Sequence, residues 1–284
     1  MSQRPGREHH TAGKVVNGPI MTERIERFLL ELFSDPRYVL RERVERLGES
    51  RLAFLEVCML VSATGDVLGQ TVLHREYRER GRPDGERPYG HESLLEYYQL
   101  EQSQNRVPVL TDDACANIRE ESWQYYVRRN FHFQSKNFML AREDGEHNLE
   151  LCNLLERYGV DDADRWALLR WWPWIERDRA MAAALELAEA NQLDMAAAEL
   201  YRAIKAIDQF AAKHAAQYEA EGEEGLRLSP AMRSHVEALT ALLREEVSLP
   251  ISADEKLDQA VAQGDQEEAD RLRRAMMKDL LDGA

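Results

Sequence analysis

The sequence predicts a mainly α protein of the α+β class. It has a small antiparallel β-sheet near the N-terminus, a body of helical hairpins and a C-terminal αα-hairpin. From residue 111 onward, apolar residues recur at three- and four-residue steps, which is the periodicity of helices that bury one face. Residues 38–76 instead hold three runs rich in Val, Leu and Phe, as strands do. With 284 residues, 44% of them hydrophobic, the chain can form two modest domains or one elongated helical body.

Composition and periodicity divide the chain into four segments. They are a disordered leader (1–20), a small α+β domain (21–110), a helical body (111–249) and a C-terminal hairpin (250–284). The leader is predicted to be disordered because it is polar, contains Gly and Pro, and has no periodicity. Since a much better helical pattern begins at Met21, that residue is an alternative start of the protein.

The net charge bears on which partners the protein can bind. The formal net charge is −15, and the first 80 residues are nearly balanced, so the acidic excess lies in the remainder. An acidic surface repels the phosphates of a nucleic acid, and DNA-binding proteins usually present a basic face. We therefore expect the helical part not to bind nucleic acid directly.

The cysteines and the hydropathy pattern predict a cytoplasmic protein. Cys58, Cys115 and Cys152 are scattered and lack CxxC spacing, which argues against a disulfide framework or a zinc site. No apolar run approaches the length of a membrane span, and the N-terminus lacks the pattern of a signal peptide. We expect no membrane contact, no metal and no cofactor.

One helix and three strands are predicted before residue 80. Thr22 is placed to cap a helix over 22–33. The strands are expected over 38–47, 51–61 and 67–76, with a turn at 64–66. Cys58 is predicted to be a buried core residue of this sheet.

The segment "GRPDGERPYGHESLLEYYQ" (81–99) is predicted to be a rigid loop that leads into a helix. Its Pro and Gly residues restrict the backbone, and the helix is expected to start at His91, Glu92 or Ser93. The charged residues Arg82, Asp84, Glu86 and Arg87 are consistent with an acid–base cluster, but we favour a salt-bridged structural loop. Both glycine-rich phosphate-binding motifs are absent. If the protein has a small-ligand site, we expect it in this loop.

Everything after residue 111 is predicted to be helical. Thr111 or Asp112 is expected to cap a helix through about Ala141, and "REDGEH" (142–147) to break it before a helix over 148–158. The core positions predicted for the first of these helices are Ile118, Trp123, Tyr126, Val127 and Phe131. Asp161 or Asp162 caps the next helix, and Pro173 begins another at a position where proline is permitted.

Four tryptophans lie within nine residues, at Trp166, Trp171, Trp172 and Trp174. Aromatic side chains can stack on nucleobases or sugars. Their neighbours are mainly acidic or apolar, so we favour packing between helices over ligand binding.

An alanine-rich helix pair is predicted over 177–210, with its turn at "NQLD" (191–194). Small residues let two helices approach closely, and the pair resembles a unit of the tetratricopeptide repeat. The segment "EAEGEEG" (219–225) is expected to be an exposed acidic turn, and Ser229 with Pro230 to open a helix as far as Val247.

The C-terminal stretch "DEKLDQAVAQGDQEEADRLRRAMMKDLL" (254–281) carries the most specific pattern. Its apolar residues follow helical spacing on both sides of "QGD". Gly264 is suited to a left-handed C-terminal cap, and Asp265 to the N-cap of the next helix. So short a helical hairpin buries too little apolar area to be stable alone, and it needs a partner surface.

This stretch resembles the UVR motif, which is found in the excinuclease subunits UvrB and UvrC and in regulators of Clp proteases. The resemblance implies a helical hairpin that pairs with other proteins, often with another UVR hairpin. The residues that it assigns to partner binding are Leu257, Ala260, Val261, Ala269, Leu272, Arg273 and Met276. Two positions depart from the motif, Gln266 where an aromatic is usual and Arg274 where an acid is usual, and both bear on which partner is recognised. Together with the loop at 81–99, residues 38–281 resemble bacterial UVR-tailed proteins, a resemblance that implies no catalytic residue.

Three functions follow from these patterns. The first is a non-catalytic adaptor that pairs with a protein carrying a UVR hairpin, or with itself, through its own hairpin. The second is an accessory factor of excision repair that touches DNA, which the acidic charge opposes. The third is an enzyme or small-ligand binder that uses the loop at 81–93. No nucleophile motif and no metal-ligand spacing supports catalysis.

Overall fold

A computed structural model describes residues 20–62 and 67–282, and it confirms the mainly helical α+β class. The predicted leader, apart from residue 20, and the predicted turn at 64–66 lie outside the described residues. The three strands are β1 (Tyr38–Arg46), β2 (Glu49–Val61) and β3 (Val67–Arg78). The helices before the tryptophan-rich segment are α1 (Glu23–Phe33), α2 (Leu94–Ser103), α3 (Asp112–Gln134), α4 (Phe138–Tyr158) and α5 (Asp162–Leu169). Those that follow are α6 (Trp172–Glu189), α7 (Leu193–Lys213), α8 (Ala215–Ala220), α9 (Glu223–Val247), α10 (Ala253–Gln263) and α11 (Gln266–Asp282).

Four helices begin at a capping side chain: Thr22 is the cap that the sequence predicted, and Ser93, Thr111 and Asp161 are each one of the alternatives that the sequence left open. Thr22, Ser93, Thr111 and Asp161 each accept a hydrogen bond from the backbone N–H three residues further on. That bond satisfies one of the N–H groups that the first turn of a helix leaves without a partner. Pro173 lies in the first turn of α6, as predicted.

The sheet has the order β1-β2-β3 with antiparallel neighbours, and it packs on α3. Leu52 and Phe54 of β2 form a small core with Val127 and Phe131 of α3. The prediction that Cys58 is a buried core residue is wrong, because its side chain is half-exposed. It lies toward the end of the β2–β3 hairpin, where neighbouring apolar side chains such as Met59 and Leu60 are exposed.

The largest core joins α1 to the helices that follow the sheet. Ile25, Leu29 and Phe33 of α1 pack in one cluster with residues of α4, α6, α7 and α9. The ring of Phe33 stacks on that of Phe133 at 3.6 Å between centroids. The predicted alanine-rich pair is α6 with α7, and eight of its twelve alanines are buried, so the small side chains allow the close packing expected of them.

The predicted break at 142–147 is wrong, because α4 runs through it without interruption. Within this segment Asp144 and Gly145 face a helix interface, whereas Glu143 and Glu146 face solvent. Asp144 is buried and accepts hydrogen bonds from Arg128 at 2.9 and 2.6 Å. Gly145 lies where α4 meets α6, and the actual break is the short connection before Asn137, the N-cap of α4.

Replacement of Gly145 by Ala is expected to destabilise the protein although alanine favours a helix. An added Cβ would lie 2.7 Å from Cβ and 3.1 Å from Cα of Arg179, so α4 and α6 must separate. Overpacking of this kind typically costs about 1–3 kcal/mol, whereas the gain in helix propensity is about 1 kcal/mol. Urea unfolding measures the net effect. Gly69→Ala is the control, because nothing lies within 4 Å of its added Cβ. An increase in the stability of Gly145→Ala would contradict the close contact.

The start of α9 also differs from the prediction. The helix begins at Glu223 and passes through Pro230 without a break, so the acidic segment at 219–225 is mostly helical. Proline removes the hydrogen bond that its own N–H would have made and its ring crowds the carbonyl four residues earlier, yet α9 continues through Pro230. Gly225 allows the first turn to approach α8, because an added Cβ would lie 2.6 Å from the carbonyl oxygen of Tyr218.

Candidate protein-pairing site

The C-terminal hairpin forms as the sequence predicts. Ser252 caps α10 by accepting a hydrogen bond from the N–H of Glu255 at 3.1 Å. Gly264 ends α10 in the left-handed conformation, with φ 74°. Asp265 then accepts a hydrogen bond from the N–H of Glu268 at 3.0 Å, which caps α11. The turn therefore follows from the local sequence.

The first helix of the hairpin is fixed to the helical body. Asp258 accepts hydrogen bonds from Tyr201 at 2.8 Å and from Lys205 at 2.6 Å, both on α7. These two bonds lower the pKa of the Asp258 carboxyl. Arg244 of α9 forms an ion pair with Glu255 at 2.5 Å. The hairpin is thus held in one orientation by polar contacts of α10.

The second helix, α11, makes its main contacts with α10. Of the seven residues predicted to bind a partner, Ala260 and Ala269 are buried and Leu257, Leu272 and Met276 are half-buried. Only Val261 and Arg273 are exposed. The buried members of the predicted set close the hairpin itself, and they are not accessible to a partner.

Two further apolar residues of α11 lie at the surface and were not assigned to the site from the sequence. Met277 is 61% exposed and Leu281 is 73% exposed. They are four residues apart, so they share one helix face, and that face differs from the one carrying Leu272 and Met276. The sequence already contained this signal, because Met277 and Leu281 are four residues apart, as Leu272 and Met276 are. We call Val261, Met277 and Leu281 the outer apolar set.

The charges of α11 change sign along the helix. An acidic block, Glu267, Glu268 and Asp270, is followed by a basic block, Arg271, Arg273 and Arg274, and the last turns carry Lys278 with Asp279 and Asp282. Two of these arginines form ion pairs within the helix, Arg271 with Glu268 at 2.5 Å and Arg273 with Asp270 at 2.8 Å. Such exposed pairs contribute little to stability, so they can exchange partners at low cost.

The loop at 81–93 is anchored to α3, in agreement with a salt-bridged structural loop. Arg82 is buried and lies 3.1 Å from Asp84 and 3.7 Å from Glu121 of α3. Gln124 donates a hydrogen bond to Asp84 at 3.0 Å, and the N–H of Leu94 donates to Glu121 at 2.9 Å. The charged side chains that could have formed an acid–base site are therefore largely paired.

The four clustered tryptophans divide into two groups. Trp172 stacks on Phe210 at 4.6 Å, and Trp166 packs edge-on against Tyr218, which matches the predicted helix packing. Trp171 and Trp174 instead line a cavity. Trp123 lines the same cavity and is 38% exposed, so its prediction as a core residue is wrong.

No protein family, curated protein or solved structure matches the chain. Within residues 20–62 and 67–282, no group of three or more His, Cys, Asp or Glu side chains could hold a metal ion. Among the described helices, none is long and apolar enough to cross a membrane. The C-terminal hairpin and the cavity lined by Trp123, Trp171 and Trp174 are therefore the candidate functional sites.

Proposed function

We propose that the chain is a non-catalytic interaction protein of the UVR-tailed kind, and that its C-terminal hairpin pairs with a hairpin of the same kind on another molecule. The observation that supports this most is the exposure of the outer apolar set on a hairpin whose first helix is fixed. An exposed apolar side chain is common by itself. Met277 and Leu281 share one face of α11, and the helix on which α11 packs is held by Tyr201, Lys205 and Arg244 on the body, which lowers the ordering cost of pairing.

The charge pattern of α11 favours a second copy of this chain as the simplest partner. In an antiparallel pair of α11 helices whose twofold axis lies between Asp270 and Arg271, the acidic block at 267–270 of each helix lies beside the basic block at 271–274 of the other. Complementary charges of this kind set the orientation and the rate of association, while apolar contacts supply the affinity. Because the pattern is symmetric under a twofold axis, it suits a homodimer.

Photo-crosslinking from position 277 tests the proposal. A photoreactive amino acid replaces Met277 in the full chain, and a second variant carries it at Leu226 of α9, which is 52% exposed. We expect position 277 to give cross-linked dimers of the purified chain, joined through residues of the partner's hairpin. Position 226 is the matched control and should give only background product.

The possible outcomes of the cross-linking experiment distinguish a homodimer, pairing with a different protein, and no pairing. Cross-links from 277 that form only in lysate, to the helical hairpin of a different protein, would support pairing but exclude the homodimer. If position 277 cross-links no more than 226 in either setting, the hairpin is not a pairing surface. A truncation after Pro250 serves as a second control, because none of the residues it removes belongs to the hydrophobic cores of the described chain. It should remain folded and lose the pairing.

A further inference from the structure

A cavity of about 310 Å³ lies between α3 and the junction of α5 with α6. Its walls carry two aromatic pairs from different helices. Trp123 and Tyr126 of α3 lie 4.9 Å apart, and Trp171 and Trp174 of the α6 N-terminus lie 6.1 Å apart. The volume is at the lower end of the range of small-molecule sites. The cavity therefore suits a small planar molecule that packs against aromatic rings.

The charged side chains that line the cavity are all arginines. Arg37, Arg119 and Arg129 contribute to the wall, and no Asp or Glu is among its lining residues. Arg37 and Arg119 have carboxylate partners outside the wall, Asp35 and Asp164, each at 2.6 Å. The ionised groups on the wall itself are therefore cationic, although two of the three are paired with nearby carboxylates.

Behind the cavity, two buried arginines share one carboxylate. Asp178 accepts hydrogen bonds from Nη2 of Arg129 at 2.8 Å through Oδ2, and from Nε of Arg177 at 2.7 Å through Oδ1. All three side chains are almost completely buried. His235 faces Arg177 at 3.0 Å, and burial lowers the pKa of this imidazole, so the ring is a neutral acceptor. The group thus carries one buried positive charge without a counter-charge among the described residues.

Three polar atoms of lining residues are buried and lack a hydrogen-bond partner. They are Nη1 of Arg129, Nε1 of Trp174 and the side-chain oxygen of Asn148. Arg129 is fully buried and Asn148 almost so. A buried polar atom without a partner is costly, and these two donors and one acceptor all belong to residues of one cavity wall, so a ligand that reaches them would lower that cost.

We propose that this cavity binds a small aromatic carboxylate that carries an N–H or O–H group away from its carboxylate. The carboxylate supplies the counter-charge missing from the group of Arg129, Asp178 and Arg177, and it accepts hydrogen bonds from the free donors. The ring packs among the tryptophans, and the ligand's own donor faces the oxygen of Asn148. A carboxylate fits better than a phosphate ester, because Nε and Nη2 of Arg129 are already bound to Asp178 and one guanidinium nitrogen is free.

Calorimetric titration of the full chain at pH 7.5 with 4-hydroxybenzoate tests the proposal, and tryptophan fluorescence provides a second readout because three of the five tryptophans line the cavity. We expect saturable binding at one site. The neutral 4-hydroxybenzamide should bind roughly tenfold or more weakly, because its carbonyl still accepts a hydrogen bond but carries no negative charge to pair with Arg129. Phenyl phosphate should also bind more weakly than the carboxylate.

A cavity-filling variant locates the site without touching the buried charges. Ala167 lines the cavity and is exposed, so Ala167→Phe fills the mouth and should abolish binding. Ala163→Phe is the matched control on the same helix, exposed and outside the cavity, and it should bind as the wild-type chain does. Arg129→Gln should weaken binding of the carboxylate more than binding of the amide.

Each contrary outcome has a defined meaning. Equal binding of the acid and the amide would overturn the role of the buried charge, and tighter binding of phenyl phosphate would overturn the choice of a carboxylate. Unchanged binding by Ala167→Phe would place the site elsewhere. If none of the three compounds binds at millimolar concentration, the cavity holds water only and the proposal is wrong.

Discussion

Replacement of Asp178 by Asn is expected to lower the free energy of unfolding by about 3–5 kcal/mol, the largest effect among the substitutions proposed for this chain. The carboxylate accepts hydrogen bonds from Arg129 and Arg177, and all three side chains are almost completely buried. Asparagine removes the only negative charge of the group and turns an N–H toward a guanidinium. Two buried positive charges would then face each other without compensation.

Chemical denaturation at neutral pH measures this effect, with an exposed ion pair as the matched control. Asp208 pairs with Arg233 at 2.7 Å, and both side chains are more than 40% exposed. Asp208→Asn should change stability by no more than about 1 kcal/mol, because solvent screens the pair. A loss for Asp178→Asn as small as that of the control would show that the buried group is solvated in solution. Such a result would also remove the uncompensated charge on which the carboxylate proposal depends.

The features predicted correctly from the sequence are those decided by neighbouring residues. Thr22, Ser93, Thr111 and Asp161 each cap a helix through an N–H three positions away, so a short window of sequence contains the whole interaction. The same holds for the turn at Gly264, where glycine adopts a backbone conformation that other residues adopt with strain. Helix caps and hairpin turns can therefore be predicted from the sequence before any tertiary contact is known.

The errors arise where a distant residue decides the outcome. The polar string at 142–147 looked like a loop, but Asp144 is paired with Arg128 on another helix and Gly145 permits a helix crossing. Trp123 looked like a core residue because of its spacing in α3. It lines a cavity instead, since Trp171 and Trp174, some fifty residues away, form another part of that wall. No pattern within one helix contains this information.

In the C-terminal hairpin, too, the features decided by neighbouring residues were predicted correctly and those decided by distant residues were not. Spacing along the sequence identified the apolar residues of the two helices but could not tell which of them the hairpin would use for its own closure. Ala260 and Ala269 are buried, whereas Met277 and Leu281, which the motif did not assign, are exposed. Which face remains free depends on how α10 docks on α7, and that docking involves Tyr201 and Lys205 far upstream.

The stability of the protein is expected to fall as the pH decreases from about 6.5 to about 4, and His132 is expected to account for a large part of the loss. The ring is fully buried and neither of its nitrogens has a hydrogen-bond partner. Burial lowers the pKa of His132 from 6.5 to about 4, although Asp144, 3.7 Å away, acts in the opposite direction. Below pH 6.5 His132 therefore binds a proton in the unfolded chain, whereas in the folded chain it stays neutral until about pH 4. Because the unfolded state binds more protons in this window, the free energy of unfolding falls with pH, by about 3 kcal/mol for this one group.

Urea unfolding of the wild-type chain and of His132→Met at several pH values between 4 and 7 isolates this contribution. Methionine has a similar size, adapts to an irregular core site and does not titrate. His214 and His235, whose pKa values burial also lowers, are present in both proteins and cancel in the difference. The difference in stability between variant and wild type should move in favour of the variant as the pH falls, and it should level off near pH 4. Parallel pH profiles would mean that His132 is protonated equally in the folded and unfolded states. In that case water or a rearranged Asp144 reaches the ring, and the tight packing of α3 against α4 at this point is not maintained in solution.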